Sequence, residues 1–176
     1  TPDGMVERFA ATGELLDQQD PNGNRVTLGY AGGRLQTVTD AADGVVLSFT
    51  YTAAGRLESV TDVAGREVRY GYSAAGDLAV VTDVLGNDWT YASDPEHRLV
   101  AKTDPDGGTV TIGYDDRGRA QTVVDRLGNA WQASYDFANR RAVWTDRRGS
   151  AKVFEYDALG APVRVTDPLG NVTETE

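Results

Sequence analysis

The residues of this chain that could carry out acid–base chemistry are almost all carboxylates. The 176 residues include 27 Asp and Glu, one histidine, His97, and no cysteine. The absence of cysteine excludes disulfides and zinc–thiolate sites. His97 stands between Glu96 and Arg98 in a polar stretch, without a nucleophile or second ligand nearby in the sequence. Because a catalytic histidine needs such a neighbour, His97 is interpreted as a surface residue.

Three D-P-x-G tetrads, at residues 20–23, 104–107 and 167–170, are the most conspicuous carboxylate motifs. Asp-Pro commonly starts a turn, and a turn is the favoured interpretation. Asp104 with Asp106, and Asp20 with Asn22, also place oxygens at alternate positions as calcium loops do, but no glutamate follows at loop position 12. A glycosidase would instead need two carboxylates converging in a cleft. No catalytic, cofactor-binding or metal-binding residue is predicted, and no cofactor.

Other chemical motifs are absent or wrongly placed. No G-x-S-x-G occurs, and residues 71–76 have glycines at the wrong spacing for a nucleophile elbow. Gly32-Gly33 is not a phosphate loop, because no helical pattern follows it. The sequence therefore predicts that the chain is not an enzyme.

The carboxylates belong to a repeat with a period of 21 residues, as between Tyr51 and Tyr72. The tyrosine position is occupied in turn by Phe9, Tyr30, Tyr51, Tyr72, Ser93, Tyr114, Tyr135 and Tyr156. An aspartate keeps step with it at Asp20, Asp40, Asp62, Asp83, Asp104, Asp125, Asp146 and Asp167, and a glycine follows each aspartate. Such a period indicates units that cannot bury an apolar face alone and must stack on their neighbours.

Each unit is predicted to be a β-hairpin. Turn signals at 52–55 and 62–65 bound two runs of strand length, since glycine accommodates positive φ and aspartate bonds its own backbone. The strand before each tyrosine alternates apolar and polar residues, which indicates one buried face. Leu57 and Val60 are three apart, so either a β-bulge or burial on both faces is required, and the sequence leaves both open.

Side chains in register on the apolar face are predicted to be buried and stacked on one another across neighbouring hairpins; these are Leu28, Phe49, Tyr70, Tyr91, Ile112 and Phe154. Three units depart from the pattern. The second has a shorter first turn, Gly32-Gly33, and a longer second one at 40–44. The fifth has Ser93 in place of tyrosine, and in the seventh Asn139 is assigned to the left-handed glycine position.

The pattern G-R-L-x-x-V-T-D-x-x-G-x-x-x-x-x-x-Y resembles the RHS/YD repeat. GRLESVTD at residues 55–62, YDDRGR at 114–119 and YDALG at 156–160 carry the resemblance, which extends over about eight units. The family includes bacterial polymorphic toxins, shell components of insecticidal toxin complexes and teneurins. The resemblance implies a curved or spiralling antiparallel sheet, part of a hollow shell that encloses a C-terminal toxin or effector domain. In bacterial members a self-cleaving D-P-x-G motif ends the shell, but the tetrads here lack its longer surroundings.

Composition limits the possible partners. The net charge of −10 argues against nucleic acid, and no apolar run is long enough to span a membrane. Residues 1–176 are expected to form a single repeat array without an internal boundary, as a fragment of a larger bacterial protein that is secreted or at the cell surface. Its expected partners are the downstream toxin domain and neighbouring repeats. A carbohydrate- or protein-binding surface module is the alternative function, and a hydrolase a weaker one.

The two ends of the array are expected to present unpaired strand edges, which are templates for pairing with another chain. The segments concerned are residues 5–9 and 172–176. The isolated chain is therefore predicted to associate or fray at its termini.

Overall fold

The computed structural model describes residues 4–175, which contain β-strands and no helix. Residues 1–3, matched by sequence to a mid-repeat turn, and Glu176 lie outside the described part. The strands are β1 Val6–Phe9, β2 Leu15–Gln19, β3 Arg25–Ala31, β4 Arg34–Asp40, β5 Gly44–Tyr51, β6 Leu57–Asp62, β7 Glu67–Tyr72, β8 Leu78–Thr82, β9 Asp88–Ser93, β10 Leu99–Thr103, β11 Thr109–Tyr114, β12 Ala120–Val124, β13 Ala130–Asp136, β14 Arg141–Thr145, β15 Ala151–Tyr156, β16 Pro162–Thr166 and β17 Val172–Glu174.

The strands belong to two compact units that divide between Trp89 and Thr90. In the first unit β1 to β8 pair in sequence order, each antiparallel to the next. In the second, β9 to β17 do the same. The predicted all-β hairpin array is confirmed. That residues 1–176 form one array without a boundary stays a prediction.

Most hairpins close through a loop of three residues. Between β6 and β7 the N–H of Asp62 donates to the carbonyl of Arg66, and the N–H of Gly65 donates to the carbonyl of Asp62, both at 3.0 Å. Gly65 has φ +78°, which completes the type I turn with a left-handed residue that typifies such loops. The turns predicted at 52–55 and 62–65 therefore form as expected.

A β-bulge resolves the three-residue spacing of Leu57 and Val60. Tyr51 pairs with Leu57 and Thr50 pairs with Ser59, so Glu58 is the extra residue of β6. Leu57 and Val60 thus share a face with Tyr51 and Phe49. The same irregularity recurs beside Tyr30, Tyr72, Tyr114 and Tyr156. Of the two alternatives left open by the sequence, the structure contains the bulge.

The predicted burial of the apolar columns is wrong in degree. Leu28, Phe49, Tyr70, Tyr91, Ile112 and Phe154 are each half-buried. The fully buried apolar residues among those described are Ala133 and Ala142. A single layer of strands has no second layer over its apolar face, so neighbouring side chains cover one another only from the sides. Among the apolar residues, small ones between large neighbours, such as Ala142 between Tyr135 and Phe154, are therefore the ones left with almost no exposed surface.

The prediction that equivalent residues of neighbouring repeats stack directly on one another is also wrong, because successive repeats are offset by two residues. Phe49 pairs with Val60, and Val60 pairs on its other side with Val68, which lies two residues before Tyr70. The same step recurs from Ile112 through Val123 to Trp131. Equivalent residues of successive repeats therefore form a staggered row and not a directly paired column.

Two of the repeats that depart from the pattern have loops of different length and backbone conformation. In the second repeat Gly32 and Gly33 have φ of 57° and 72° and form a two-residue loop, the arrangement of a type I′ turn. In the seventh, the assignment of Asn139 to the left-handed position is wrong, because Arg140 takes it with φ 49°. The cause is the pairing of Asp136 with Arg141, which leaves a four-residue loop and no bulge.

We predict that Phe49→Ala lowers the free energy of unfolding by about 2 kcal/mol, less than the ~3–5 kcal/mol typical of fully buried phenylalanine. The reason is that Phe49 already keeps part of its surface in water. Urea unfolding of the wild type and the variant measures the difference. Val63→Ala, at a turn position where the side chain is 74% exposed, is the control and should change stability by less than about 0.5 kcal/mol. A loss of about 4 kcal/mol or more at Phe49 would show that another layer covers this face.

Candidate functional site

The regular carboxylates close turns. Asp125 accepts two backbone N–H bonds at Oδ1, from Leu127 at 2.9 Å and Asn129 at 2.8 Å, while its Oδ2 accepts from the Asn129 side chain at 2.7 Å. The carboxylate thus spans its own loop and satisfies donors that no strand partner reaches. Where the first turn begins with Thr52 or Ser73, a hydroxyl accepts the corresponding bond at 3.2 Å.

The three D-P-x-G aspartates have this same structural role. Asp20 and Asp167 each accept two backbone N–H bonds and one asparagine side-chain bond. Asp104 accepts from the Gly108 N–H at 2.7 Å and from Arg126 at 3.0 Å. Within residues 4–175 no three His, Asp or Glu side chains are grouped to hold a metal ion. These tetrads therefore sit where turn chemistry requires them.

Hydrogen bonding to the charged form lowers the pKa of many turn carboxylates. The pKa of Asp115 falls from 3.8 to about 2, first because the Arg119 side chain donates to it and then because the Arg119 N–H does. The pKa values of Asp20, Asp83, Asp125 and Asp167 are also lowered, in each case first by a donating asparagine side chain. All of these groups stay ionised at neutral pH, so they accept hydrogen bonds and hold no proton for general-acid chemistry.

His97 lies in the first turn of the fifth repeat. It has φ 64° and occupies the position that glycine holds in other repeats, and its N–H donates to the carbonyl of Asp94 at 3.0 Å. The side chain is exposed. The placement agrees with the interpretation of His97 as a surface turn residue.

The recurring tyrosine connects consecutive repeats. The Tyr51 hydroxyl donates to the carbonyl of Leu35 at 2.7 Å, and the Arg34 guanidinium lies 5.6 Å from the centre of the Tyr51 ring. The same arrangement holds Tyr72, Tyr114 and Tyr135 against Arg56, Arg98 and Arg119, with guanidinium-to-ring distances of 5.5, 4.8 and 4.6 Å. We call each such tyrosine, arginine and carbonyl acceptor a clamp.

The clamp explains the G-R-L part of the repeat. The arginine covers the ring of the next repeat, and the residue after it provides the carbonyl that accepts the hydroxyl proton. The glycine of the next turn leaves room for the guanidinium, since a Cβ at Gly55 would overlap Arg34 and one at Gly76 would overlap Arg56. A cation over an aromatic face contributes about 0.5–1 kcal/mol at an exposed site.

Sequence reasoning missed the clamp, although a signal was present. An arginine precedes each clamped tyrosine by 16 or 17 residues, as Arg56 precedes Tyr72. In the fifth repeat, where Ser93 replaces the tyrosine, Asp77 stands at the arginine position. Both members are thus replaced in that repeat, whereas Tyr30 is kept with Glu14 at the arginine position, so the spacing of arginine and tyrosine is the sequence signal of the contact.

The other face of the sheet is lined largely by hydroxyl and small side chains. Thr50 and Ser59 share a hydrogen bond of 2.9 Å, and so do Thr103 and Thr109. A shallow groove of about 490 Å³ in the second unit is lined by Thr122, Gln132, Ser134 and Thr145 among others. The two faces thus differ in chemistry, with aliphatic and aromatic side chains on one and mostly uncharged polar groups on the other.

Comparison with known proteins gives a consistent result. The family model described as RHS Repeat matches residues 31–67, 51–88, 72–109, 94–130 and 135–172. Crystal structures of TcdB2-TccC3-Cdc42 and of TcdB2-TccC3 are similar in fold, with TM-scores of 0.62 and 0.61 and 16% sequence identity. That of TcdB2-TccC3 without its hypervariable C-terminal region has a TM-score of 0.61 and 15% identity. Each comparison covers 92% of this chain and 12% of the larger one. No curated protein matches the chain.

The first prediction from this site concerns the clamp. Tyr114→Phe removes the hydroxyl bond to Leu99 and should cost about 1 kcal/mol of unfolding free energy. A double-mutant cycle with Arg98→Gln and Tyr114→Leu should give a coupling of about 0.5–1 kcal/mol. The control is a second cycle that combines Tyr114→Leu with Arg66→Gln. Arg66 pairs with Asp62, so this cycle should show no coupling to Tyr114. Additive effects at Arg98 and Tyr114 would contradict the clamp.

The second prediction concerns acid. The pKa of Asp115 and of the other turn aspartates is lower in the folded chain than the ordinary value, so their stabilising contribution is complete above about pH 4. It is lost as pH falls through the folded-state pKa, which is about 2 for Asp115. The urea midpoint should therefore drop between about pH 4 and pH 2.

The matched variants for the acid experiment are Asp115→Asn and Asp116→Asn. The amide introduced by Asp115→Asn keeps an oxygen for the two backbone N–H donors but has no titrating carboxyl, so this variant should have a shallower pH dependence. Asp116→Asn removes a charge at an exposed position of the same loop and should leave the change of the urea midpoint with pH as it is in the wild type. Equal slopes in the wild type and Asp115→Asn would contradict this account.

Proposed function

Because the chain belongs to the RHS repeat family, we propose that it is a wall segment of a larger shell, a structural element and not an enzyme. The observation that carries the proposal is the array itself, in which hairpin follows hairpin and the recurring positions are used for turns and clamps. The side chains that recur with the period close the turns, as Asp125 does, or hold one hairpin to the next, as Tyr51 does. An array of this kind grows by addition of repeats, which suits a continuous wall.

We propose that the wall encloses a toxin or effector domain located downstream in the same polypeptide. The similarity in fold to structures of TcdB2-TccC3 supports this, because the name of one of them specifies a hypervariable C-terminal region. The chain spans about 12% of the length of those proteins, so the enclosed domain would lie outside the residues described here. The parent protein would be bacterial, and secreted or exposed at the cell surface, with neighbouring repeats as its other contacts.

The two faces of the sheet suit a container. Hydroxyl and small side chains predominate on one face, where charged groups such as Arg69 and Glu67 pair with one another, and the clamps lie at the hairpin ends. A wall that binds an enclosed chain weakly can separate it from the producing cell without fixing one conformation of it. The mechanism is therefore steric, and needs no convergent catalytic group.

Exposed aromatic rings favour one second candidate function, a module that binds carbohydrate or protein at a surface. Phe9 is 57% exposed and Phe137 is 53% exposed. Aromatic rings stack on sugar rings and anchor protein interfaces. A glycan array probed with the wild-type chain and with Phe137→Ala tests this function. Saturable binding that Phe137→Ala removes would support the surface module over the shell.

We predict that the downstream domain of the full-length polypeptide resists protease as long as the wall is intact. Tyr114→Leu combined with Tyr135→Leu removes two clamps and should make that domain at least several-fold more sensitive, because the hairpins separate more often. Leu85→Ala, at an 82% exposed turn position, is the control and should leave protection unchanged. Equal digestion of the domain in the wild type and as a separate fragment would contradict enclosure. Nuclease, peptidase or glycosidase activity of the 176-residue chain, abolished by one substitution without unfolding, would contradict the structural role.

A further inference from the structure

We propose that the groove beside Tyr156 is a binding site for the guanidinium group of an arginine presented by another polypeptide segment. The groove has a volume of about 370 Å³ and is lined by Tyr135, Phe137, Arg140, Tyr156 and Leu159 among others. The inference rests on a comparison of this repeat with the others in the same chain, and does not depend on the proposed shell.

The chain contains its own template for the complex. In four repeats a guanidinium lies over the tyrosine ring, and the tyrosine hydroxyl donates to a backbone carbonyl; the rings are those of Tyr51, Tyr72, Tyr114 and Tyr135. In two of these clamps the arginine also pairs with an aspartate of its own turn, as Arg98 Nε does with Asp94 Oδ2 at 2.7 Å. The ring, the turn and the carboxylate together form a cradle for one guanidinium.

At Tyr156 this cradle lacks its arginine. Among residues 4–175, no cationic side chain covers the Tyr156 ring, and its hydroxyl donates no hydrogen bond. Asp136, which stands where Asp115 stands one repeat earlier, lines the groove, but its Oδ2 accepts the Asn139 side chain at 2.7 Å where Asp115 Oδ2 accepts Arg119. The ring that holds a guanidinium in four other repeats is therefore present here, and within residues 4–175 no guanidinium lies over it.

The reason is the loop of the seventh repeat. By sequence Arg140 occupies the clamp position, 21 residues after Arg119. Because this hairpin has no bulge, Arg140 falls within the four-residue loop at φ 49°, and its carbonyl accepts the Tyr156 N–H at 2.9 Å. Arg140 thus lines the groove from the loop without lying over the Tyr156 ring.

The surroundings of the groove are compatible with a cation. Arg140 and Arg141 line it, but so do Asp136 and Asp157, so these four charges cancel. The ring centres of Phe137 and Tyr135 lie 6.4 Å apart, and Arg119 already covers both rings, so the Tyr156 ring is the aromatic face of the groove that an added guanidinium would use. A planar, weakly hydrated guanidinium stacks on such rings better than an ammonium does, so arginine is expected to bind in preference to lysine.

The test uses the 176-residue chain with ¹³C-labelled tyrosine rings, titrated with N-acetyl-arginine-N-methylamide and with the neutral citrulline counterpart. The Tyr156 resonance should move saturably with the arginine compound, at least about fivefold more tightly than with citrulline, because only the former provides a cation. Tyr156→Leu should remove the response. Equal binding of the two compounds would overturn the proposal, and tighter binding of free arginine than of the capped form would overturn the polypeptide source.

A second variant provides a positive control within the same molecule. Arg98→Ala empties the cradle at Tyr114, so the Tyr114 resonance should begin to respond to the arginine compound while Tyr156 continues to do so. In the wild type Tyr114 should stay silent, since Arg98 already covers it. A response at Tyr114 alone in this variant would overturn the site at Tyr156, and a response at neither ring would overturn the cradle itself.

Discussion

The hydrogen bonds that close each turn determine the geometry of the whole array. A carboxylate or hydroxyl at the first turn position accepts backbone N–H groups from within the loop, as Asp125 does from Leu127 and Asn129. The glycine that follows supplies a positive φ, which completes the loop in three residues. Since loop length fixes which residues face one another, these turns set the register of the strands on both sides.

Register in turn makes the contact between repeats possible. The bulge next to the tyrosine brings Leu57 and Val60 onto the same face, and the two-residue stagger offsets each repeat from the next. The tyrosine ring then reaches the carbonyl and the arginine of the preceding repeat. Because one layer of strands leaves the apolar side chains half-buried, stability depends on many such modest contacts and not on a deep core.

The irregular repeats show which features the array tolerates. The second repeat exchanges one loop length for another and keeps its bulge and its tyrosine hydroxyl bond. The seventh keeps its tyrosine but loses the bulge, and the next tyrosine, Tyr156, loses its arginine. A change in the length of one loop therefore alters the contacts of the tyrosine one repeat further along, because the clamp joins residues of two hairpins. A repeat that departs from the common pattern can therefore carry a site that the other repeats lack.

The sequence by itself determined the period, the all-β class, the positions of the turns and the apolar face, because these depend on local properties such as the φ of glycine and the alternation of side chains. It left open whether a bulge or two-sided burial placed Leu57 and Val60, and it wrongly assigned the left-handed position to Asn139 in place of Arg140. It also predicted deep burial for residues such as Phe49. Only the tertiary structure decided these points, since pairing register, the number of layers and the reach of Arg34 to Tyr51 depend on which strands lie side by side.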